Sequence, residues 1–495
     1  MPAPSSSSAA LPPAPSPASP LSPSPASAYL SLLPQASALS LAYLSQLFPS
    51  PSRPVAPPAA ALAAALASLA KPLPASPSPG AEVLSSLSSL VSSACHLSSS
   101  PRYLAFVTGG ATPLSLAAHW LVAAADQNAW SPATAPLLAG MEEVVVGWLA
   151  ELLRLPAGSG GALCGGATLA CAAALCAARD KVLADAGWDA RKHGLCGAPA
   201  VRVYVGGGAH SSVFKALSIV GLGASPDAPH VTVLPALPSG AIDAAALPGI
   251  PPPAGPAIVL LQAGHVSTGA FDDFRAALAW ARSGPADPWV HVDGAFGLWA
   301  RASPSASVAA LCDGAEGADS WSTDLHKALN VPYDSAFVCT RHPELLHAAM
   351  TCEAPYDGRG EGRGRRTAEL QNSRFGRGAV AWAALQALGR EGVGELVDRM
   401  CGLSKELAGK LEGGEGVRVL FQGFNQCLVR IAGGDGVTRA VVEDVVAGGE
   451  IFIGATAWEG LLAVRLSVCN WAMQLEDVEV AAAAILRSVD KVRAG

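Results

Sequence analysis

The sequence predicts an α/β protein built on a mostly parallel central sheet, with a smaller α+β domain towards the C-terminus. Two observations carry that expectation. Apolar strand-like runs at 201–205, 231–234, 257–262 and 289–293 alternate with helical patterns at 211–220 and 271–282. Strands separated by helices in this way form a sheet whose two faces are both covered. After Gly378 the order changes, with two helices (379–388 and 393–411) followed by strand-like 417–420, 426–430 and 462–468 and a closing helix over 476–492.

Residues 1–27 are Pro/Ser/Ala low complexity and offer too little apolar surface to offset chain entropy, so disorder is expected. Leucine-bearing segments such as 29–33 and 83–87 alternate with Pro clusters over 28–100. They read as a few helices that pack on the body or on a partner subunit. The body spans 101–378. It opens with helices at 113–126 and 133–153, the second carrying Met141, Val144, Val145, Trp148 and Leu149 on its apolar face. The small domain is 379–495.

The chain has 495 residues, 51% hydrophobic and 14% charged, which suits an extensive buried core. A net charge of −7 without a dense basic block disfavours a nucleic-acid partner. The Arg-rich patch at 359–366 is interrupted by glycine and reads as a loop. Eleven scattered cysteines, odd in number and without a Cys-x-x-Cys pair, argue for a reducing compartment and against a zinc site. No apolar run reaches 18 residues, so no membrane span is expected. The N-terminus lacks a secretory pattern and points to the cytoplasm. Its freedom from acid up to Glu82 leaves an organelle transit peptide as the alternative, although Arg53 is the only arginine before Arg102.

Four stretches could carry chemistry. The run 162–168 (Ala-Leu-Cys-Gly-Gly-Ala-Thr) opens a helix, and free backbone N–H groups at a glycine-lined helix start can hold a phosphate. It lacks the G-x-x-x-x-G-K-[ST] and G-x-G-x-x-G patterns of nucleotide sites. Asp293 ends an apolar strand, where α/β folds place ligands. His291 and Asp293 share a strand face, but no third ligand is spaced to complete a metal site. His210 stands at a strand-to-helix junction, suited to capping or to stacking on a flat ring. Lys327 follows a histidine in 319–334 (Asp-Ser-Trp-Ser-Thr-Asp-Leu-His-Lys-Ala-Leu-Asn-Val-Pro-Tyr-Asp). A lysine on such a Ser/Thr/Asp loop can act as an amine nucleophile.

In this order and wording the four stretches closely resemble the group II pyridoxal 5′-phosphate (PLP) decarboxylases that act on aromatic amino acids, tyrosine and glutamate. The resemblance runs from Pro101 to about Leu486 and includes 262–272 and 467–471. It implies PLP fold type I, the aspartate-aminotransferase-like architecture. It implies that Lys327 forms a Schiff base with PLP, that Asp293 pairs with the pyridinium and that His210 stacks on the ring. Ala295 would lie under the ring, while Ala167, Thr168 and His326 would line the phosphate side and His265 would stand near the cofactor. Members are dimers with active sites at the subunit interface, so a homodimer is expected. The expected reaction is decarboxylation of an L-amino acid to the amine and CO₂, an aromatic substrate being the family's commonest choice.

The chain departs from the family at several points. His265 replaces Thr or Asn, Ala328 replaces the Trp after the lysine, and Ala472 replaces an Arg. The family's mobile loop carries a proton-donating tyrosine. The corresponding stretch, about 351–374, is rich in Gly and Arg and has Tyr356 as its one tyrosine, the catalytic candidate there. A changed loop tyrosine keeps a PLP-dependent aldehyde synthase or another carbon–carbon lyase open. A non-catalytic PLP-binding homologue is the alternative of another class, and the presence of both Lys327 and Asp293 counts against it.

Overall fold

The computed structural model describes residues 25–47, 54–351 and 368–494. They fall into one unit up to Leu97 and another from Ser98 onward. Most of the expected disordered tail lies outside the described residues.

In the first unit, alanine and leucine between proline breaks give three helices: α1 (Pro25–Leu44), α2 (Ala59–Leu69) and α3 (Gly80–Ala94). Gln35 joins α1 to α3, its Nε2 donating to the Ala81 carbonyl and Ser85 Oγ at 3.1 Å each. Tyr29, Leu30, Leu33, Leu66 and Leu69 are left exposed.

The second unit begins with α4 (Pro113–Ala125) and α5 (Pro136–Leu152). Thr112 caps α4 through the Ser115 N–H, and Pro113 follows at the first position, where no N–H is needed. Then come β1 (Gly160–Cys164), α6 (Ala167–Asp185), α7 (Ala190–His193), β2 (Arg202–Gly206), α8 (Ser211–Ile219), β3 (Val231–Leu234) and β4 (Ala257–Gln262). α9 (Phe274–Ala281), β5 (Trp289–Asp293), α10 (Ala306–Ala309), β6 (Ser320–Asp324), α11 (Leu325–Ala328), β7 (Ala336–Thr340) and α12 (Pro343–Met350) complete this layer. The sheet order is β1-β7-β6-β5-β4-β2-β3. The neighbours from β6 to β3 run parallel, and β7 alone is antiparallel to its neighbours β6 and β1.

Both faces are covered, as the apolar runs require. On β4, Val259 and Leu261 enter a core with Trp299, Trp321 and Phe337, while Ile258 and Leu260 enter a second core with α6. α6 buries Ala170, Ala172, Ala173, Ala174, Ala177 and Ala178. Alanine favours the helix and lets it lie close against the strands. Each fully buried leucine, such as Leu163 or Leu175, contributes roughly 1.5–3 kcal/mol.

The small domain contains α13 (Arg377–Glu412), β8 (Val417–Gly423), β9 (Gln426–Ile431), α14 (Gly434–Gly448), β10 (Gly454–Trp458), β11 (Leu461–Ser467) and α15 (Leu475–Ala494). Its antiparallel sheet, ordered β10-β11-β9-β8, buries Val429 and Leu466 against Leu407 and Ile485 of the helices.

Two readings need correction. The lysine segment is not a loop, since Ser320–Asp324 is a fully buried strand and Lys327 sits in the helical turn that follows it. This strand is polar, so its pattern does not read as core. It is tolerated because Ser320 Oγ meets Trp289 Nε1 and His291 Nδ1 at 2.8 Å each and Ser322 Oγ meets His291 Nε2 at 3.2 Å. The helix expected from Phe271 begins at Phe274, because Asp273 caps it by accepting from the Ala276 N–H. The two helices expected after Gly378 are both present within α13, meeting at a kink where Gly389 leaves the helical conformation (φ 61°).

Candidate active site

Parallel strands in register deliver their C-terminal ends to one edge, where α/β folds hold ligands. β5 ends in Asp293, which pairs with Ser322 of β6, and β6 ends in Asp324. Lys327 follows in α11. From the same edge Gly165 and Gly166 turn β1 into α6. A Cβ at Gly165 would come within 2.8 Å of Asp334 Oδ2, the end of a side chain that would have to shift.

A cavity of about 210 Å³ opens here. Ala167, Thr168, His210, Asp293, Ala295, His326 and Lys327 line it together, with Gly166, Ser212, Gln262 and Asp324 among their neighbours. His265 does not line it. It sits between the lining residues Gly264 and Val266, with its ring edge-on to Trp458 at 5.4 Å. Tyr356 lies outside the described residues.

Local bonding fixes each side chain. His210 caps α8, its Nδ1 accepting the Ser212 N–H at 3.2 Å and meeting Ser212 Oγ at 2.7 Å. His326 Nδ1 accepts the Ser335 N–H at 3.2 Å, which leaves Nε2 to carry the proton 3.6 Å from Asp324 Oδ1. His265 Nδ1 accepts the N–H groups of Ser267 (3.2 Å) and Thr268 (3.3 Å). Its pKa falls to about 4 through burial and then through His210 and Arg465, so the ring is neutral at pH 7.

Asp293 accepts the Ala295 N–H at 3.2 Å. Burial pushes its carboxyl up to about 6, and Lys327 draws it back towards ionisation. Burial lowers the Lys327 ammonium pKa, but Asp324, with Oδ2 2.9 Å from Nζ, and Asp293 act together against it and leave it above its ordinary value. The backbone around Lys327 is tightly enclosed, because a Cβ on Gly109 would lie 2.2 Å from the Lys327 carbonyl oxygen. His291, by contrast, is a core residue held between Ser320 and Ser322. Among the described residues no group of three or more His, Cys, Asp or Glu is placed to hold a metal.

The donor set matches the cofactor that the sequence resemblance implies. A helix start beside His326 suits a phosphate, Lys327 supplies an amine for an aldehyde, and Asp293 supplies a carboxylate for a ring nitrogen. His210 presents a flat ring, and Ala295 contributes only a methyl group.

Sequence reasoning passed over three residues. Asp324 lies within the lysine motif, but its importance depends on α6 coming alongside. Arg465, inside the apolar run of β11, makes no hydrogen bond or ion pair among the described residues. Its charge nevertheless reaches His210 and His265, and an arginine inside an apolar strand run is the signal the sequence offers. Tyr333 packs its ring 4.3 Å from that of His326 and bonds to Thr108.

Residues 64–423 match the pyridoxal-dependent decarboxylase conserved domain. The chain is 31% identical over 271 residues to a tyrosine decarboxylase of Oryza sativa subsp. japonica, covering 52% of this chain and 48% of that protein. It is 25% identical over 283 residues to a phenylacetaldehyde synthase of a Rosa hybrid cultivar, covering 51% and 50%. The chain thus matches about half the length of each of these relatives. Its fold is that of the crystal structure of Oryza sativa TDC with PLP and tryptamine, with a TM-score of 0.82 and 22% identity, covering 94% of this chain and 98% of that one.

Proposed function

This chain belongs to the pyridoxal-dependent decarboxylase family, and on that premise we propose that it removes the α-carboxylate of an L-amino acid to give the amine and CO₂. The observation that carries the proposal is the meeting of Lys327, Asp293 and the first turn of α6 on one cavity. Bound pyridoxal phosphate would supply an electron sink conjugated to the substrate nitrogen.

The protein's part is to hold, orient and manage protons. Lys327 Nζ would hold the cofactor's aldehyde group once it had lost a proton, a loss that the nearby Asp324 opposes. Asp293, buried at the cavity, would hold the proton of the ring nitrogen. The start of α6 and His326 would hold the phosphate, and His210 would cover the ring. Arg465, a guanidinium without a partner among the described residues, orients the substrate carboxylate by charge. An aromatic substrate fits the relatives' names. A homodimer accords with Tyr29, Leu30 and Leu33, which a single chain leaves exposed.

An absorbance spectrum with PLP, followed by CO₂ and H₂O₂ assays over a panel of amino acids, tests this reading. A visible cofactor band that Lys327→Ala abolishes, with CO₂ and no peroxide, is the expected result. Peroxide with an aldehyde would instead identify an aldehyde synthase, an outcome kept in view by the synthase among the relatives. No band with PLP in the unaltered protein would overturn the assignment of Lys327.

A further inference from the structure

Asp324 stands where a phosphate-binding cradle would be expected to offer only donors. Its Oδ1 accepts the Ala167 N–H at 2.6 Å, committing one of the first-turn donors of α6 to the protein's own carboxylate. Oδ2 lies 2.9 Å from Lys327 Nζ. The side chain is 5% exposed. The backbone is pinned on both sides, with Asp324 N donating to the Ala295 carbonyl at 2.9 Å and Trp299 Nε1 donating to the Asp324 carbonyl at 3.1 Å. Swinging the carboxylate away would break its bonds to both Ala167 and Lys327. A phosphate dianion brought to the same helix start therefore meets a fixed like charge, and the two repel at short range.

We propose that Asp324 is a built-in negative charge of the cofactor cradle that weakens this chain's grip on the phosphate of its cofactor. The inference rests on the cofactor reading above and adds a determinant of cofactor affinity. Asp324 touches both the helix start and the lysine, so its two effects must be separated. An asparagine keeps a carbonyl oxygen for the Ala167 N–H and removes the charge. It also frees Lys327 to lose its proton, which would help capture of any aldehyde. Pyridoxal and pyridoxal phosphate form the same bond with Lys327, and only the second brings a phosphate.

The test is to titrate the cofactor-free wild type and Asp324→Asn with each aldehyde and read binding by absorbance. The expected result is that the preference for pyridoxal phosphate over pyridoxal rises on the order of tenfold in the variant. An unchanged or reduced preference overturns the proposal, whatever happens to the two affinities individually. Calorimetric titration with inorganic phosphate should show a similar gain, and no gain there counts against Asp324. That arm needs no aldehyde chemistry. If Lys327 captures neither aldehyde, the cofactor reading fails while inorganic phosphate still reports on the charge. Asp324→Ser, also uncharged, repeats the comparison if asparagine disturbs α11, with circular dichroism checking the fold of both variants.

Discussion

Asn330 Oδ1 accepts the backbone N–H of Trp471 at 2.9 Å, tying the turn that carries Lys327 to the segment that follows β11. The same side chain donates through Nδ2 to the carbonyls of Lys327 (2.9 Å), Ala328 (3.1 Å) and Cys469 (3.0 Å). Asn330 is fully buried, with a left-handed backbone (φ 53°) that asparagine tolerates better than most residues. Asn330→Ala would remove the acceptor of the part-buried Trp471 N–H and the side-chain donor to the Ala328 and Cys469 carbonyls, at about 1–3 kcal/mol for each group left unsatisfied. The expected loss is about 3 kcal/mol or more, read from urea unfolding. A loss below about 1 kcal/mol would mean that the turn is held by something else.

Gly109 is needed for what it lacks. A methyl group there would sit 2.2 Å from the Lys327 carbonyl oxygen and 2.8 Å from that of His326, both backbone atoms that cannot rotate aside. Gly109→Ala should therefore displace α11 and weaken pyridoxal phosphate binding at least tenfold, an effect worth about 1.4 kcal/mol. Fluorescence titration checks this. Gly402, whose added Cβ would meet nothing within 4 Å, serves as a control in which alanine should be harmless.

Arg374 anchors the region behind the cradle from a fully buried position. Its guanidinium donates to Glu142 Oε2 at 2.7 Å and to the Leu163 carbonyl at 3.2 Å, while Glu142 Oε1 accepts the Leu163 N–H at 3.1 Å. Glu369 lies 3.8 Å from Arg374, and both its side-chain oxygens are buried. Arg374→Met would strand two buried carboxylates, and breaking such a group from one side typically costs about 3–5 kcal/mol. Glu142→Gln keeps an acceptor for Leu163 and leaves Glu369 opposite the arginine, so it should cost less. Denaturant titrations that reversed this order would contradict the role given to Arg374.

The parts of the site legible in the sequence are the local ones. The glycine turn into α6, Asp293 at a strand end and Lys327 after a histidine each declare themselves within a few residues, and the parallel strands read from their apolar runs. β6 escaped because its serines look like loop residues until His291 and Trp289 of the neighbouring strand are seen to satisfy them. Arg465 escaped because its relation to His210 and His265 exists only once the small domain folds against the large one. The resemblance puts His265 near the cofactor; what the sequence does not reveal is that its ring lies edge-on to Trp458 and is anchored by the N–H groups of Ser267 and Thr268.

That orientation has a consequence for acid stability. Burial pushes the pKa of His265 down to about 4 and that of His291 down to about 3, while it raises the carboxyls of Asp272 and Asp293 to about 6. Between pH 4 and 6 the unfolded chain binds a proton on each histidine that the folded chain refuses, so the histidines make stability fall as pH drops. The folded chain keeps a proton on each of these aspartates that the unfolded chain releases above about pH 4, so their contribution is present at low pH and lost as pH rises through about 6. The two pairs oppose each other and nearly cancel over this window, and single substitutions should expose them. Relative to the cofactor-free wild type, His265→Asn should gain stability on going from pH 6 down to pH 4.5. The gain should be about 1.4 kcal/mol per pH unit, or roughly 2 kcal/mol in all. Asp272→Asn should lose a similar amount over the same interval, because one of the protons that stabilise the folded state in acid is gone. Comparing the same variant at two pH values cancels whatever fixed cost the substitution brings. Urea unfolding at pH 4.5 and 6 thus reads the titration alone, and parallel rather than opposite shifts for the two variants would refute the assignment.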